Sequence, residues 1–209
     1  LIFLNFKMVL LKFPTDIKSD FDGYNYFVYI IDLVKKIKNE EVVFDFGNVF
    51  FFEANLAAVF GVCLEILRLN NSKFKIINIT NRVETILRKN NFLVDLGYGT
   101  IVDNYSTSLK YKRFAPNDDE GFNGYIKDHL LSKTDFPMLS QPLYKEILRN
   151  IFEIYENART HGKCEYIHTC GQFFPRKPNK PLHFTVVDKG INIKENVSNF
   201  LKYTINGSD

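Results

Sequence analysis

The stretch from Val42 to Asn71, VVFDFGNVFFFEANLAAVFGVCLEILRLNN, constrains the fold more than any other part of the chain. It opens on β-branched and aromatic residues without polar alternation, the pattern of a strand buried on both faces. It then passes into Leu56, Val59, Phe60, Cys63, Leu64 and Leu67, which recur at i, i+3, i+4, i+7, i+8 and i+11 and form one continuous helical face. A buried strand feeding an apolar-faced helix requires a layered arrangement, with helices laid on a sheet.

The same alternation runs through the first hundred residues. The apolar opening LIFLNFKMVLLKF predicts one or two buried strands over 1–13. Tyr24, Phe27, Ile30, Ile31, Val34 and Ile37 fall at helical spacing, and KFKIINI (73–79) reads as a strand. Thr80 is placed to N-cap the helix NRVETILRKNNFL, whose Val83, Ile86 and Leu87 make a short apolar face. The polar GYGTIVDNYSTS that follows reads as a link. Residues 1–100 are therefore expected to form an α/β domain and 105–209 a second one. In the second, LKYKRF (109–114), 163–173 and 181–188 read as strands and FNGYIKDHLL as a short helix. A long helix is expected over 141–161, N-capped by Ser140.

Composition excludes some partners. The chain is 45% apolar and 24% charged, enough to bury a core, and its net charge of +3 is too small to point to nucleic acid. The apolar opening is too short to span a bilayer, is broken by Asn5 and Lys7, and lacks a basic leader and a small-residue cleavage site. Cys63, Cys164 and Cys170 do not make a secreted disulfide framework. Together these point to a cytoplasmic protein without a membrane partner. The chain starts without Met, as a fragment or a processed form would.

The long helix carries FEIYENARTHG (152–162). At about 100° per residue, Ile147, Ile151, Ile154 and Ala158 cluster on one side and predict the core stripe. Glu153, Asn157 and His161 step by four along its border. A carboxylate and an amide at a half-buried border are costly unless something pairs with them. Local hydrogen bonds and a charged ligand both satisfy that requirement. Downstream, HFTVVDKGINI places Asp188 at a strand end before Gly190, a position suited to a binding cleft.

Taken together, EIYENARTHG resembles the N box of the GHKL ATPase superfamily, the Bergerat fold of histidine kinases, gyrase-type topoisomerases and anti-sigma-factor serine kinases. The form with His and Gly after the asparagine is nearest the anti-sigma-factor branch. VVDKGINI resembles the superfamily's glycine box, Asp-x-Gly-x-Gly, and 31 residues separate Asn157 from Asp188, room for the two strands this fold places between the boxes. The resemblance implies an α+β Bergerat-type sandwich that binds ATP and Mg²⁺. It implies that Asn157 ligates the metal through its side-chain oxygen and that Glu153 acts as the catalytic base toward water or a substrate hydroxyl. Asp188 would accept from the adenine amino group and Gly190 would let the backbone close over the base. His161 lies one turn beyond Asn157 with the least defined role. Asn192 stands where the second glycine is usual and tolerates left-handed φ better than most residues. The superfamily's ATP lid and later glycine motifs are expected beyond Asp209, so the sandwich is expected to be incomplete here.

The first domain resembles the STAS domain of anti-sigma-factor antagonists. The stretches that carry this are VVFDFGNVFFFEANLAAVFGVCLEIL and FKIINITNRVETILRKNNFL, over residues 5–96. It implies a protein partner and allows a homodimer. Classical members of that family carry a phosphorylatable Ser at the start of the central helix. Glu53, Ala54 and Asn55 stand there, and no Ser or Thr lies between Asn48 and Gly61. Glu53 is either a standing negative charge or a carboxylate favourably placed at a helix N-terminus. The chain is thus expected to be a cytoplasmic, bacterial-type regulator joining a STAS-like module to a GHKL ATPase or serine-kinase-like module. The alternative is a non-enzymatic interaction protein with a degenerate nucleotide site. Kinase, ATPase and passive nucleotide switch all stay open.

Other signals carry less. If 164–170 is a strand, Cys164, His168 and Cys170 share a face, but the cysteines then lie about 20 Å apart at about 3.3 Å per residue. One ion with metal–sulfur bonds of about 2.3 Å does not bridge that gap. LKYKR reads as an exposed strand face, and neither His129 nor His183 has an identifiable partner in the sequence.

Overall fold

The computed structural model describes residues 8–133, 138–162, 164–191 and 193–206. Its chain separates into two compact units. One is formed by 1–112 with 169–185, the other by 113–168 with 186–209. The fold is mixed α/β with parallel and antiparallel sheets.

In the first unit, β1 (Met8–Lys12), β3 (Glu41–Asp45) and β5 (Lys73–Ile77) form a parallel sheet in that order. Leu11 lies opposite Phe44, and Phe44 opposite Ile76. β3 is central, and Val42, Val43 and Phe44 are all buried, as its unbroken apolar run requires. β1 is an edge strand. Leu11 is buried, but Met8 and Leu10 are exposed, so the expected buried strand is half-solvated where it is described. Residues 1–7 of that expectation lie outside the described residues. The single strand expected over VVFDFGNVFFF is two. Asp45 ends β3 by accepting from Gly47 N at 2.9 Å and from the Asn78 amide at 3.0 Å. The chain then turns into the short β4 (Phe51–Phe52), which pairs in parallel with β2 (Asp16–Ile17). The Asn78 amide, then the Gly47 N–H, hold the Asp45 carboxyl below its ordinary range.

α1 (Phe21–Val34) starts at Asp20, whose side chain accepts from Gly23 N, and it buries Phe27, Ile30 and Val34. Tyr24, expected on that face, is exposed. α2 (Ala57–Leu69) follows a short 3-10 turn (Ala54–Leu56) and is buried all round from Ala57 to Leu67, a wider burial than the expected single stripe. α3 (Asn81–Lys89) starts at Thr80, whose hydroxyl accepts from Val83 N. Both α2 and α3 stop at an Asn-Asn pair. Asn70 and Asn90 are the C-caps, and Asn71 (φ 53°) and Asn91 (φ 67°) take the left-handed conformation that lets the chain leave the helix. The first asparagine of each pair also ties elements together. The Asn70 amide donates to Val34 O and Ile37 O behind α1. Asn90, fully buried, donates to Ala54 O and accepts from Phe92 N.

β6 (Ser108–Phe114), β7 (Ile167–Phe173) and β8 (Leu182–Asp188) form a second sheet in that order. It is antiparallel. Phe173 N donates to Thr107 O where the end of β7 meets the start of β6, and Phe174 N donates to Pro181 O at the hairpin into β8. Within the first unit, β6 reaches the core through Tyr111, whose ring is 5.0 Å from Phe92, itself 5.4 Å from Phe60 on α2.

The second unit holds α4 (Asp119–Tyr125), continued by a wider helical turn over Ile126–Leu131, then α5 (Gln141–Gly162) and α6 (Ile193–Asn206). Ser140 caps α5 as expected, its hydroxyl accepting from Leu143 N. No helix among the described residues is long and apolar enough to cross a membrane.

Candidate functional site

The polar edge of α5 is set by how the helix packs. Its anchor is Tyr155, fully buried and stacked on Phe122 of α4 with centroids 4.1 Å apart. The Tyr155 hydroxyl donates to Ala115 O at 2.9 Å. Phe152 lies 6.0 Å from Phe122, Ala158 is buried, and Arg159 reaches Asp119 at 3.5 Å. The core stripe therefore runs through Phe152, Tyr155 and Ala158, and Ile154, expected in it, is 54% exposed. Aromatic stacking takes the larger ring inward and rotates the helix away from the aliphatic stripe.

That rotation leaves Glu153 and Asn157 exposed rather than at a half-buried border. Neither needs a protein partner to offset desolvation, and both are presented to solvent one turn apart on the same side. His161 lies in the last turn of α5, and its side chain is outside the described residues. Asp188 ends β8, half-buried, and its Oδ1 accepts from Gly190 N at 2.7 Å. The structure thus brings Asp188 and Gly190 together as a turn at a strand end. Asn192 lies outside the described residues. Among the described residues no hydrogen bond joins α5 to Asp188. A groove of about 570 Å³ runs along α5 with Lys145, Arg149, Phe152 and Glu153 in its wall, and neither Asn157 nor Asp188 lines it.

The Asn157 carboxamide offers an exposed oxygen, the ligand type a hard divalent cation takes. One such ligand leaves most coordination positions to phosphate oxygens and water. Asp188 engages Gly190 through Oδ1, which leaves Oδ2 as acceptor for an exocyclic amino group.

Sequence reasoning missed a second polar cluster, in the first unit at the start of the 3-10 turn. Glu53 is 4% exposed and its Oε2 accepts from Ser19 N at 2.7 Å and lies 3.1 Å from His183 Nδ1. Asn55, also buried, donates to the Ser19 hydroxyl (2.8 Å) and the Thr185 hydroxyl (3.0 Å), and Gln172 Oε1 accepts from Ala54 N (2.9 Å). His183 therefore has the partner that the sequence did not show. Glu53 makes no side-chain hydrogen bond to the turn it precedes, and its burial removes it from any role as a displayed charge. The separation of 130 residues between Glu53 and His183 left no local signal to read.

The three cysteines are buried. Cys164 Sγ faces Ala158 O at 3.7 Å. Cys170 Sγ lies 3.4 Å from both the Asn90 amide and Leu109 O. Burial raises the thiol pKa of Cys63 and Cys170, so neither is a ready nucleophile.

Tyr155 gives a testable handle on α5. Burial first, then Asp119 and Asp118, push its phenol up to about 12. The phenol thus holds its proton more tightly in the folded chain than in the unfolded one, where it titrates near about 10. The stability it contributes is full below pH of about 10 and is lost as pH climbs toward the folded value. Tyr155→Phe is expected to remove that alkaline loss at the cost of about 1 kcal/mol at neutral pH, since Ala115 O loses its donor. Urea denaturation of both proteins across the alkaline range checks this, and parallel pH curves would refute it.

The fold and site define a mixed α/β protein with a parallel sheet in one unit and a long polar-edged helix in the other. A scan of protein-family models gave no match to the chain, and searches of curated proteins and of solved structures gave none either.

Proposed function

We propose that the chain is an ATP-binding regulatory protein in which a STAS-like partner module is joined to a GHKL-type module of the ATPase or protein-serine-kinase kind. The observation that carries this reading is the exposure of Glu153 and Asn157 on α5, one turn apart, on a helix anchored from its other side by Tyr155. Asp188, turned back on Gly190 N at the end of β8, supports it as the adenine acceptor. In this reading Asn157 holds Mg²⁺, Glu153 takes the proton from the attacking hydroxyl or water, and bound metal supplies charge neutralisation at the phosphates. In the other module, a parallel β1-β3-β5 sheet with α1 packed on α2 agrees with a STAS-like arrangement. The buried Glu53, standing where a phosphorylatable Ser is usual, supports a partner surface that phosphorylation at that position does not switch.

Calorimetric titration with ATP in the presence of Mg²⁺ tests the proposal. The wild-type chain is expected to bind, and Asn157→Ala to weaken binding at least about tenfold, the loss shrinking when Mg²⁺ is chelated. Asn157 is exposed, so the variant is expected to keep its thermal stability. Identical titrations for the two proteins, with or without heat, would remove the ATP reading and leave the non-enzymatic interaction protein.

A further inference from the structure

A second cavity lies within the first unit, between β4 and α3, with a volume of about 250 Å³. Arg82, Thr85, Ile86 and Lys89 face it from α3, one side of the helix at i, i+3, i+4 and i+7, and Phe50, β4 and Gln172 also line it. Phe50 is 61% exposed, and the Arg82 guanidinium lies 4.5 Å from its ring centroid. Arg82 has no carboxylate partner among the described residues. Lys89 is 3.8 Å from Asp103, a loose pair that only partly offsets its charge. Gln172 uses Oε1 to accept from Ala54 N, which sets the orientation of its amide and leaves Nε2 as the donor it has to offer. No acidic side chain lines the cavity. Its charged groups are thus positive and Gln172 adds a neutral donor, while the Thr85 hydroxyl spends its proton on Asn81 O at 2.6 Å, all beside apolar surface from Phe50 and Ile86.

We propose that this cavity binds a small single-ring aromatic anion, an aryl phosphate or aryl carboxylate. The ring lies against Phe50 and Ile86, and the anion is held by the Arg82 fork with help from Gln172 Nε2 and Lys89. A site of this volume is below the range of drug-sized pockets and admits one ring with its anionic group. The guanidinium, already stacked on an aromatic face, keeps its edge donors free for bidentate contact with a carboxylate or phosphate. The site is independent of the ATP reading, since it uses none of the residues that reading invokes.

The test is a titration of the isotope-labelled full chain with phenyl phosphate, followed by amide chemical shifts, with inorganic phosphate and phenol as separate arms. Saturable shifts centred on Phe50, Arg82, Ile86 and Gln172 are expected, with phenyl phosphate binding at least about tenfold more tightly than either fragment alone. Arg82→Gln is expected to weaken phenyl phosphate at least about tenfold and Arg82→Lys to fall between, because it keeps the charge and loses the fork. Arg82 is exposed, so both variants are expected to keep the wild-type spectrum elsewhere. Absence of saturable shifts up to about 10 mM phenyl phosphate, equal affinity for inorganic phosphate, or unchanged binding by Arg82→Gln would each overturn the proposal.

Discussion

Replacing Phe60 with alanine is expected to destabilise the first unit by about 3–5 kcal/mol, the range for emptying a fully packed aromatic site. Phe60 is fully buried on α2, with ring centroids 5.3 Å from Phe13, 5.0 Å from Phe44, 5.7 Å from Phe46 and 5.4 Å from Phe92. These partners come from the end of β1, from β3 and its following turn, and from the segment after α3, so one ring joins elements spread over eighty residues. Collapse around the void is limited because Phe13 and Phe46 already stack on each other at 4.3 Å. A loss of this size consumes a large part of a typical domain's stability of about 5–15 kcal/mol. Guanidinium denaturation followed by tyrosine fluorescence checks it. Phe60→Leu, which refills most of the volume, is expected to lose much less. A cost below about 1 kcal/mol for Phe60→Ala would mean that the site relaxes freely and that the aromatic cluster is not the organising core.

The second large effect is expected at Glu53. Its carboxylate is almost fully buried and serves both Ser19 N and His183, so Glu53→Ala orphans a backbone donor and strips the histidine of its partner. Removing one member of a buried polar pair costs about 2–4 kcal/mol, since the remaining groups keep their desolvation penalty. His183 is 31% exposed, and water can serve it in part, which places the effect in the lower half of that range. Glu53→Gln retains an acceptor oxygen for Ser19 N and is expected to recover most of the loss. A double-mutant cycle with His183→Ala isolates the pair, with a coupling of about 1 kcal/mol or more expected for groups in direct contact. Additive single losses would show that Glu53 acts through Ser19 alone.

Glu153, Asn157, Asp188 and Gly190 were singled out by their spacing along one helix and at one strand end, which is local information. Which side of α5 faces the core was not legible in that way, because Ile154 and Tyr155 are both plausible core residues by periodicity. Only the presence of Phe122 at stacking distance chooses the tyrosine. Nothing in the sequence pointed to the cavity beside Phe50 either. Arg82 and Lys89 lie on α3, and Gln172, which helps to line the cavity with them, comes from a distant strand.

The sequence by itself determined the elements: the starts of α3 and α5 at Thr80 and Ser140, the central burial of β3, and the long apolar helix α2. Capping, periodicity and branched side chains act within a few residues, so they are written in the local order of the chain. Tertiary structure alone decided the pairing of Glu53 with His183, the burial of α2 on every side and the orientation of α5. Each depends on which distant surface arrives as neighbour, and packing against that surface outweighs the small differences in free energy among local alternatives.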